Sequence, residues 1–342
     1  MKKTIQSSEY CTVGHPDRTC DYIASYLLDR HLERDRNSRV AFEVQLKDNF
    51  CTVSGEVTSR AAFNHAEIAA FCREALEEIG YTLEYQSKYG RENVIASNDL
   101  EVVTHISSQS EDIAQGVNAD GWGDQGIFFG LAVDDPATGY LPKDYFLARK
   151  LGQEIAGKLG GLDVKTLVTL ENGEPVECYV AIPLLPSDDE APVREEAHRL
   201  LGSGVEVVVN GTGRYVRHGS IGDCGTTGRK LVVDFYGGNS KIGGGSPWGK
   251  DPTKADVTLN HLARRCALEG MKRYGLPEMR SAISCCIGRR EIRVSLFDRD
   301  MKLVESSIKR DPASHIIESL MLDKCGYAKR CALGMFGREG WI

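Results

Sequence analysis

No uninterrupted apolar run in this 342-residue chain approaches the length of a membrane span, and the opening Met1-Lys2-Lys3-Thr4-Ile5-Gln6 lacks the apolar core of a signal peptide. Both absences lead to the expectation of a cytoplasmic protein with no membrane partner. An excess of positive charge is missing as well. The formal net charge is −7, which argues against a nucleic-acid partner and leaves the Lys/Arg clusters to act locally on a small anionic ligand. The eleven cysteines are odd in number and never spaced C-x-x-C, so a zinc ribbon or a disulfide framework is not indicated and buried reduced thiols explain them better. A Walker A motif is also lacking, because Gly249-Lys250 is followed by Asp251 rather than Ser or Thr. What remains, 41% hydrophobic and 27% charged, is the composition of a globular chain long enough for two or three domains.

The most informative stretch is Gly243-Gly244-Gly245-Ser246-Pro247-Trp248-Gly249-Lys250-Asp251-Pro252-Thr253-Lys254-Ala255-Asp256. Consecutive glycines let a backbone approach an anion closely, and the spacing predicts a helix with Asp251 as N-cap and Pro252 as its first residue. The apolar stripe of that helix is Ala255, Leu259, Leu262, Ala263, Cys266, Ala267 and Met271. Lys250, Lys254 and Asp256 at its positive end suit a magnesium-bound polyphosphate. A glycine-rich turn before a helix is also common where nothing binds. Gly14-His15-Pro16-Asp17-Arg18 opens a second helix in the same manner. Asp17 and Asp256 are thus a pair able to serve one metal cluster, and His15 stands beside it either as a reacting group or as a plain helix cap.

Strands are expected over 40–47 and 51–57, with Glu43 a candidate cation ligand in an apolar run, and a helix over 60–79. Residues 81–98 read as a connection. The glycine-punctuated stretch 109–126 reads as a lid leading into a strand over 127–133 and a helix over 143–159. A hairpin over 164–170 and 176–182, a helix over 189–201 and a strand over 205–209 follow. After the strand expected at 231–236 and the long helix come strands over 282–287 and 291–297 and a helix over 313–322. Three recurrences of strand, hairpin and helix predict three similar α+β modules, placed at 1–100, 101–217 and 218–342 with chain crossings between them. Arg229 and Lys230, among glycines and beside Asp223, read as further phosphate ligands.

These motifs together resemble S-adenosylmethionine synthetase, the methionine adenosyltransferase family. The resemblance rests on Gly14-His15-Pro16-Asp17, Gly123-Asp124-Gln125-Gly126, Thr212-Gly213-Arg214, Gly222-Asp223 with Thr227-Gly228-Arg229-Lys230 and Val233-Asp234-Phe235-Tyr236-Gly237-Gly238, and the glycine loop above. It implies an α+β fold of three pseudo-symmetric modules, a homodimer or dimer of dimers with active sites at the interface, and synthesis of S-adenosylmethionine from ATP and methionine. By the same resemblance His15 assists departure of the 5′ oxygen, Asp17 and Asp256 hold two Mg2+ per site, and Glu43 helps bind K+. Lys165, Arg229, Lys230, Lys250 and Lys254 meet the phosphates. Glu56, Gln109 and Asp124 meet methionine, with Asp223 and Lys254 also within its reach. Asp163 and Asp223 take the ribose and neighbouring polar groups, Tyr215 stacks on adenine, and residues 109–117 gate the site. The chain departs from the family pattern in being short and in carrying Val13 for glutamate, Arg18 for lysine and Ser246-Pro247-Trp248 for Ala-Phe-Ser. Residues 182–186 replace a polar family segment. Trp122 and Trp248 are expected to reshape the pocket.

Overall fold

A computed structural model describes residues 3–108 and 121–337. In chain order its elements begin with β1 (Ile5–Cys11), α1 (Pro16–Arg34), β2 (Arg39–Lys47), β3 (Phe50–Thr58), α2 (His65–Ile79), α3 (Leu83–Tyr89), β4 (Glu101–Ser107) and β5 (Gly126–Val133). They continue with α4 (Lys143–Leu159), β6 (Lys165–Glu171), β7 (Glu174–Ala181), α5 (Ala191–Leu201), β8 (Glu206–Val209), α6 (Gly219–Gly222), β9 (Gly225–Thr226) and α7 (Leu231–Asp234). The last elements are α8 (Ala255–Tyr274), β10 (Glu278–Cys285), β11 (Ile292–Phe297), β12 (Leu303–Lys309), α9 (Ala313–Ser319) and α10 (Tyr327–Leu333).

Among the described residues the strands form three four-stranded sheets, ordered β1-β6-β7-β8, β9-β2-β3-β4 and β5-β10-β11-β12. Each is an antiparallel hairpin flanked on one side by a strand from a distant part of the chain: β1 beside β6, β9 beside β2 and β5 beside β10. This shared plan is the three-module α+β architecture. Helices cover one face of each sheet, and side chains alternate between that face and the outer one. Thus Val40, Phe42, Val44 and Leu46 of β2 are buried while Glu43, Gln45 and Lys47 stay exposed on the other face.

Helix α1 is more deeply buried than one apolar stripe implies. Every residue except Arg30, Glu33 and Arg34 is buried, because the helix lies between β2, α2 and α10. Ile23, Leu27 and Leu28 have no exposed surface, each stabilising by roughly 1.5–3 kcal/mol. Its buried acids serve backbone groups of other segments. Asp29 accepts from the N–H groups of Gly326, Tyr327 and Ala328 at 2.8, 3.0 and 2.9 Å, capping α10.

Several expectations are corrected. The helix after the glycine loop starts at Ala255, with Lys254 as its extended N-cap residue. Asp251 turns inward instead, accepting from Val40 N at 2.8 Å and Thr253 N at 3.0 Å, and this Asx-type turn delays the helix. Of residues 231–236, Leu231–Asp234 form the short helix α7 rather than a strand. Its apolar run contacts β1 and Asp234 N bonds Lys230 O, a case where periodicity over so few residues does not separate helix from strand. The helix expected at 60–79 begins at His65, where Asn64 and Glu67 make a capping box. Residues 81–98 are not a bare connection but carry α3, capped by Thr82. The strands β1, β4 and β12 were not anticipated. Trp122 and Trp248 are core residues, 0% and 3% exposed.

Candidate functional site

Most of the expected site residues fall into two groups placed along the edge of β2 that faces away from β3. The first gathers where α1 starts. Its N-cap is His15, whose Nδ1 accepts from Asp17 N at 3.2 Å, so the neutral ring carries its proton on Nε2. Burial and the nearby Lys230 charge push the imidazole down to about 4, against an opposing pull from Asp17. His15 is therefore both the helix cap and an uncharged group aimed at the same site.

Asp17 is fully buried. Its Oδ1 accepts from Thr226 N at 2.9 Å, its Oδ2 is paired with Lys230, and Arg229 Nε stands 3.5 Å away. Burial raises its carboxyl, but Lys230 and the Thr226 N–H outweigh this and hold it below the usual range. Lys165, the first residue of β6, pairs with Glu9 at 2.7 Å and also feels Asp17. Asp163, two residues earlier, accepts from Gly219 N at 3.0 Å. Burial pushes its carboxyl up to about 6, the Gly219 N–H opposes this, and Asp223 adds to it. Tyr215 is half-buried close enough to Asp163 for the carboxylate to raise its phenol, burial being the larger cause. Thus His15, Asp17, Asp163, Lys165, Tyr215, Asp223, Arg229 and Lys230 are neighbours.

The second group is built by the glycine loop. Lys250 bridges to Ala41 of β2 and its Nζ lies 2.6 Å from Asp256 Oδ2. Asp256 Oδ1 accepts from Gly245 N at 2.8 Å. Gly244 has a φ of +74°, and a Cβ there would stand 2.8 Å from Asp256 Oδ1; glycine is required for that approach. Glu43 meets solvent on the same face of β2. Partial desolvation raises its carboxyl, Lys250 offsets part of this, and Asp256 adds to it. Glu56 lies in register with Ala41, hence two strand spacings, about 10 Å, from the Lys250 backbone. Asp124 and Asp256 both raise the thiol of Cys285, after burial, which puts Asp124 at the border of this group.

The two groups are not merged. Thr226 pairs with Gln45 and Lys250 with Ala41, four residues or about 13 Å apart along β2. Asp17 and Asp256 therefore hold separate lysines within one chain rather than one cluster. Lys254 departs from both groups: its Nζ lies 2.5 Å from Asp251 Oδ2. Gln109 and the expected gating segment lie outside the described residues. Among the described residues no three His, Cys, Asp or Glu side chains are gathered as a metal cage. Each of Asp17 and Asp256 instead offers one oxygen to a backbone N–H and one to an ammonium. Such hard single carboxylates fit Mg2+ that draws its remaining ligands from phosphate and water.

Sequence reasoning gave no site role to Glu9 or Asp21 and read Asp251 only as a helix cap. The first partners Lys165, and the third holds Lys254 and the start of β2. Asp21 had a usable signal, since it lies four residues after Asp17 on one helix face.

The N-terminal domain model of S-adenosylmethionine synthetase matches residues 3–111, and its C-terminal domain model matches residues 217–342. The chain belongs to the S-adenosylmethionine synthetase family. The S-adenosylmethionine synthase of Brachyspira hyodysenteriae is 31% identical, covering 99% of this chain and 94% of that protein. That of Salinibacter ruber is 34% identical over 97% and 93%. In three dimensions the chain resembles an unusual S-adenosylmethionine synthetase from Campylobacter jejuni, with a TM-score of 0.87, 28% identity and coverage of 98% and 95%.

Proposed function

We infer that the chain is a methionine adenosyltransferase, making S-adenosylmethionine from ATP and methionine. The methionine sulfur attacks C5′ of ATP, the C5′–O5′ bond breaks, and the triphosphate leaves with the bonding pair. Water then cleaves the triphosphate to pyrophosphate and phosphate. The barrier lies in expelling a highly charged group from carbon, so catalysis must come from alignment and from cations waiting where charge develops.

One observation carries the residue-level reading: an uncharged His15 with its Nε2 proton available sits beside Lys230, Arg229 and Lys165. In this reading His15 donates to the departing 5′ oxygen, while Lys165, Arg229 and Lys230 bind the triphosphate. Asp163 and Asp223 accept from the ribose hydroxyls and Tyr215 stacks on adenine. Lys250 takes the far phosphates, and Lys254 does so once a ligand competes with Asp251. Glu56, Gln109 and Asp124 take methionine. Asp17 and Asp256 hold Mg2+, which neutralises phosphate charge when bound, and Glu43 contributes to a K+ site.

The separation of the two groups supports an active site completed by a second copy. Glu9, Lys165, Glu43 and Glu56 lie on outer sheet faces, beside the exposed apolar Phe50, Val103, Ile127 and Tyr179. Packing two such faces would bury that apolar surface and bring one chain's Asp17 group opposite the other's Asp256 group. A homodimer is the smallest such assembly. Among the described residues no helix is long and apolar enough to cross a membrane, in keeping with a cytoplasmic place for this metabolism.

The test incubates the protein with ATP, methionine, Mg2+ and K+ and follows products by chromatography. Equal amounts of S-adenosylmethionine, phosphate and pyrophosphate are expected. ATP binding without any sulfonium product would overturn the assignment.

A further inference from the structure

Beside Asp17, α1 carries an ion cluster that the reaction as described does not use. The Arg18 guanidinium is 2% exposed. One nitrogen lies 3.0 Å from Asp21 Oδ2 and also pairs with Asp234, and another donates to Cys331 O at 2.7 Å. The Trp248 ring lies beneath it, 5.2 Å from centroid to Cζ. Burying three charges is costly, and packed apolar side chains would often serve stability as well. The cluster therefore asks for a role beyond holding the core together.

The geometry supplies one. Asp17 and Asp21 are one helical turn apart on the same face of α1. Asp17 Oδ1 accepts from Thr226 N at 2.9 Å and Asp21 Oδ1 from Gly228 N at 2.8 Å. These two bonds grip alternate residues of the segment whose next members are Arg229 and Lys230. Arg18 fixes Asp21 through its other oxygen, and its remaining partners come from α7 and α10. Trp248 belongs to the glycine loop, and its backbone N–H donates to Ser246 Oγ at 3.2 Å. A Cβ built on Gly228 would stand 2.7 Å from Ser246 Cβ. The guanidinium thus touches α1, α7, α10 and the glycine loop together.

We propose that Arg18 is a positioning residue for triphosphate, setting Arg229 and Lys230 over Asp17 by holding Asp21 against the Gly228 N–H. It touches no substrate. Only a planar fork with several donors can meet Asp21, Asp234 and Cys331 O while stacking on an indole; a lysine ammonium is a compact point charge and cannot. Because Glu56 and Asp124 belong to the other group, methionine recognition should be insulated from it. The inference rests on the adenosyltransferase reading for its consequence, but its geometry concerns polyphosphate alone.

The experiment compares the wild-type protein with Arg18→Lys, Trp248→Phe and Arg149→Lys. Arg149 is a similarly buried arginine whose guanidinium donates to Phe336 O at 2.8 Å and lies over the Tyr145 ring, so it reports the cost of disturbing a buried guanidinium alone. KM for ATP, KM for methionine, kcat and the Kd of inorganic tripolyphosphate are measured where each protein is folded by circular dichroism. Arg18→Lys should weaken tripolyphosphate and ATP together by on the order of tenfold, what one weakened charge-assisted hydrogen bond is worth, with KM for methionine within about twofold. Trp248→Phe should shift the same constants in the same direction by less, and it carries the test if Arg18→Lys does not fold. Arg149→Lys should leave all four constants unchanged. Unaltered polyphosphate affinity in Arg18→Lys or Trp248→Phe, or a parallel rise in KM for methionine, would overturn the proposal. A wild-type protein that binds tripolyphosphate yet makes no S-adenosylmethionine would sink the enzymatic reading while leaving the tripolyphosphate comparison decisive for Arg18.

Discussion

Gly225→Ala is the sharpest single perturbation of the phosphate segment. Strand β9 passes so close to the start of α1 that a Cβ at Gly225 would lie 2.2 Å from Pro16 O and 3.0 Å from Asp17 N. Both are backbone atoms of a helix fixed by burial on nearly every side, so the strand must yield. Reaching ordinary contact at 3.4 Å requires a withdrawal of 1.2 Å, shared at most in part by α1. The Thr226 N to Asp17 Oδ1 bond would open from 2.9 Å to about 4 Å, beyond hydrogen-bond range. Overpacking of this kind costs about 1–3 kcal/mol. The activity loss should be larger, because Arg229 and Lys230 follow within five residues and a displacement near 1 Å can cost on the order of 100-fold in rate. The assay is kcat for S-adenosylmethionine formation at saturating ATP and methionine, with thermal unfolding measured in parallel. Gly157→Ala is the control: it lies in α4 with nothing within 4 Å of its Cβ, and should be neutral or slightly stabilising. A Gly225→Ala protein with kcat within about twofold of wild type would refute the claim that this contact sets the phosphate segment.

Three further outcomes are expected. Lys250→Ala should lower kcat by on the order of 100-fold or more while leaving the unfolding temperature within a few degrees, because its ion pair with Asp256 is partly exposed; normal turnover would remove it from the site. Asp17→Asn keeps an acceptor for Thr226 N but discards the charge, so the Mg2+ titration of activity should move to higher concentration, and an unchanged midpoint would count against a metal ligand there. His261, buried beside Phe336 with its Nδ1 on Val257 O, is pushed down to about 4 by burial, with Arg330 adding to the effect. Between its folded value and the ordinary value near 6.5 the unfolded chain binds the extra proton, so stability is full above that range and falls as pH drops through it. By urea denaturation, His261→Gln should lessen the stability lost between pH 7.5 and pH 5 by about 2 kcal/mol; an identical pH slope in the variant would show that His261 does not carry it.

The helices over 143–159 and 189–201 were legible in the sequence because their apolar period and flanking glycines agree with their burial. The hairpin around Asn172-Gly173 was legible for its turn residues, both at positive φ. The strands β1, β4 and β12 were not, since Ile5–Cys11 and Leu303–Lys309 carry polar residues on exposed positions, and β1 owes its pairing to β6, far along the chain. At the site, the residue types around His15, Asp17 and Lys250 announced phosphate chemistry. What no local pattern announced was which carboxylate each lysine meets: Lys254 turns to Asp251 because that side chain is drawn inward by Val40 N. The separation of Asp17 from Asp256 depends on the register of β2 against β9 and the glycine loop, and register is a property of pairing.

The donation of β1 to a sheet built from β6, β7 and β8 has a consequence for synthesis on the ribosome. Cys11 is made before Lys165, its partner in register, and at roughly 5–20 residues per second the interval is about 10–30 s. During that time the segment has no strand to join. Its sequence suits the wait: Gln6, Ser7, Ser8 and Glu9 interrupt the apolar residues, so the nascent strand offers little to a neighbouring chain. The polar character that hides β1 from a sequence reading is the same property that lets it stay single until its sheet exists.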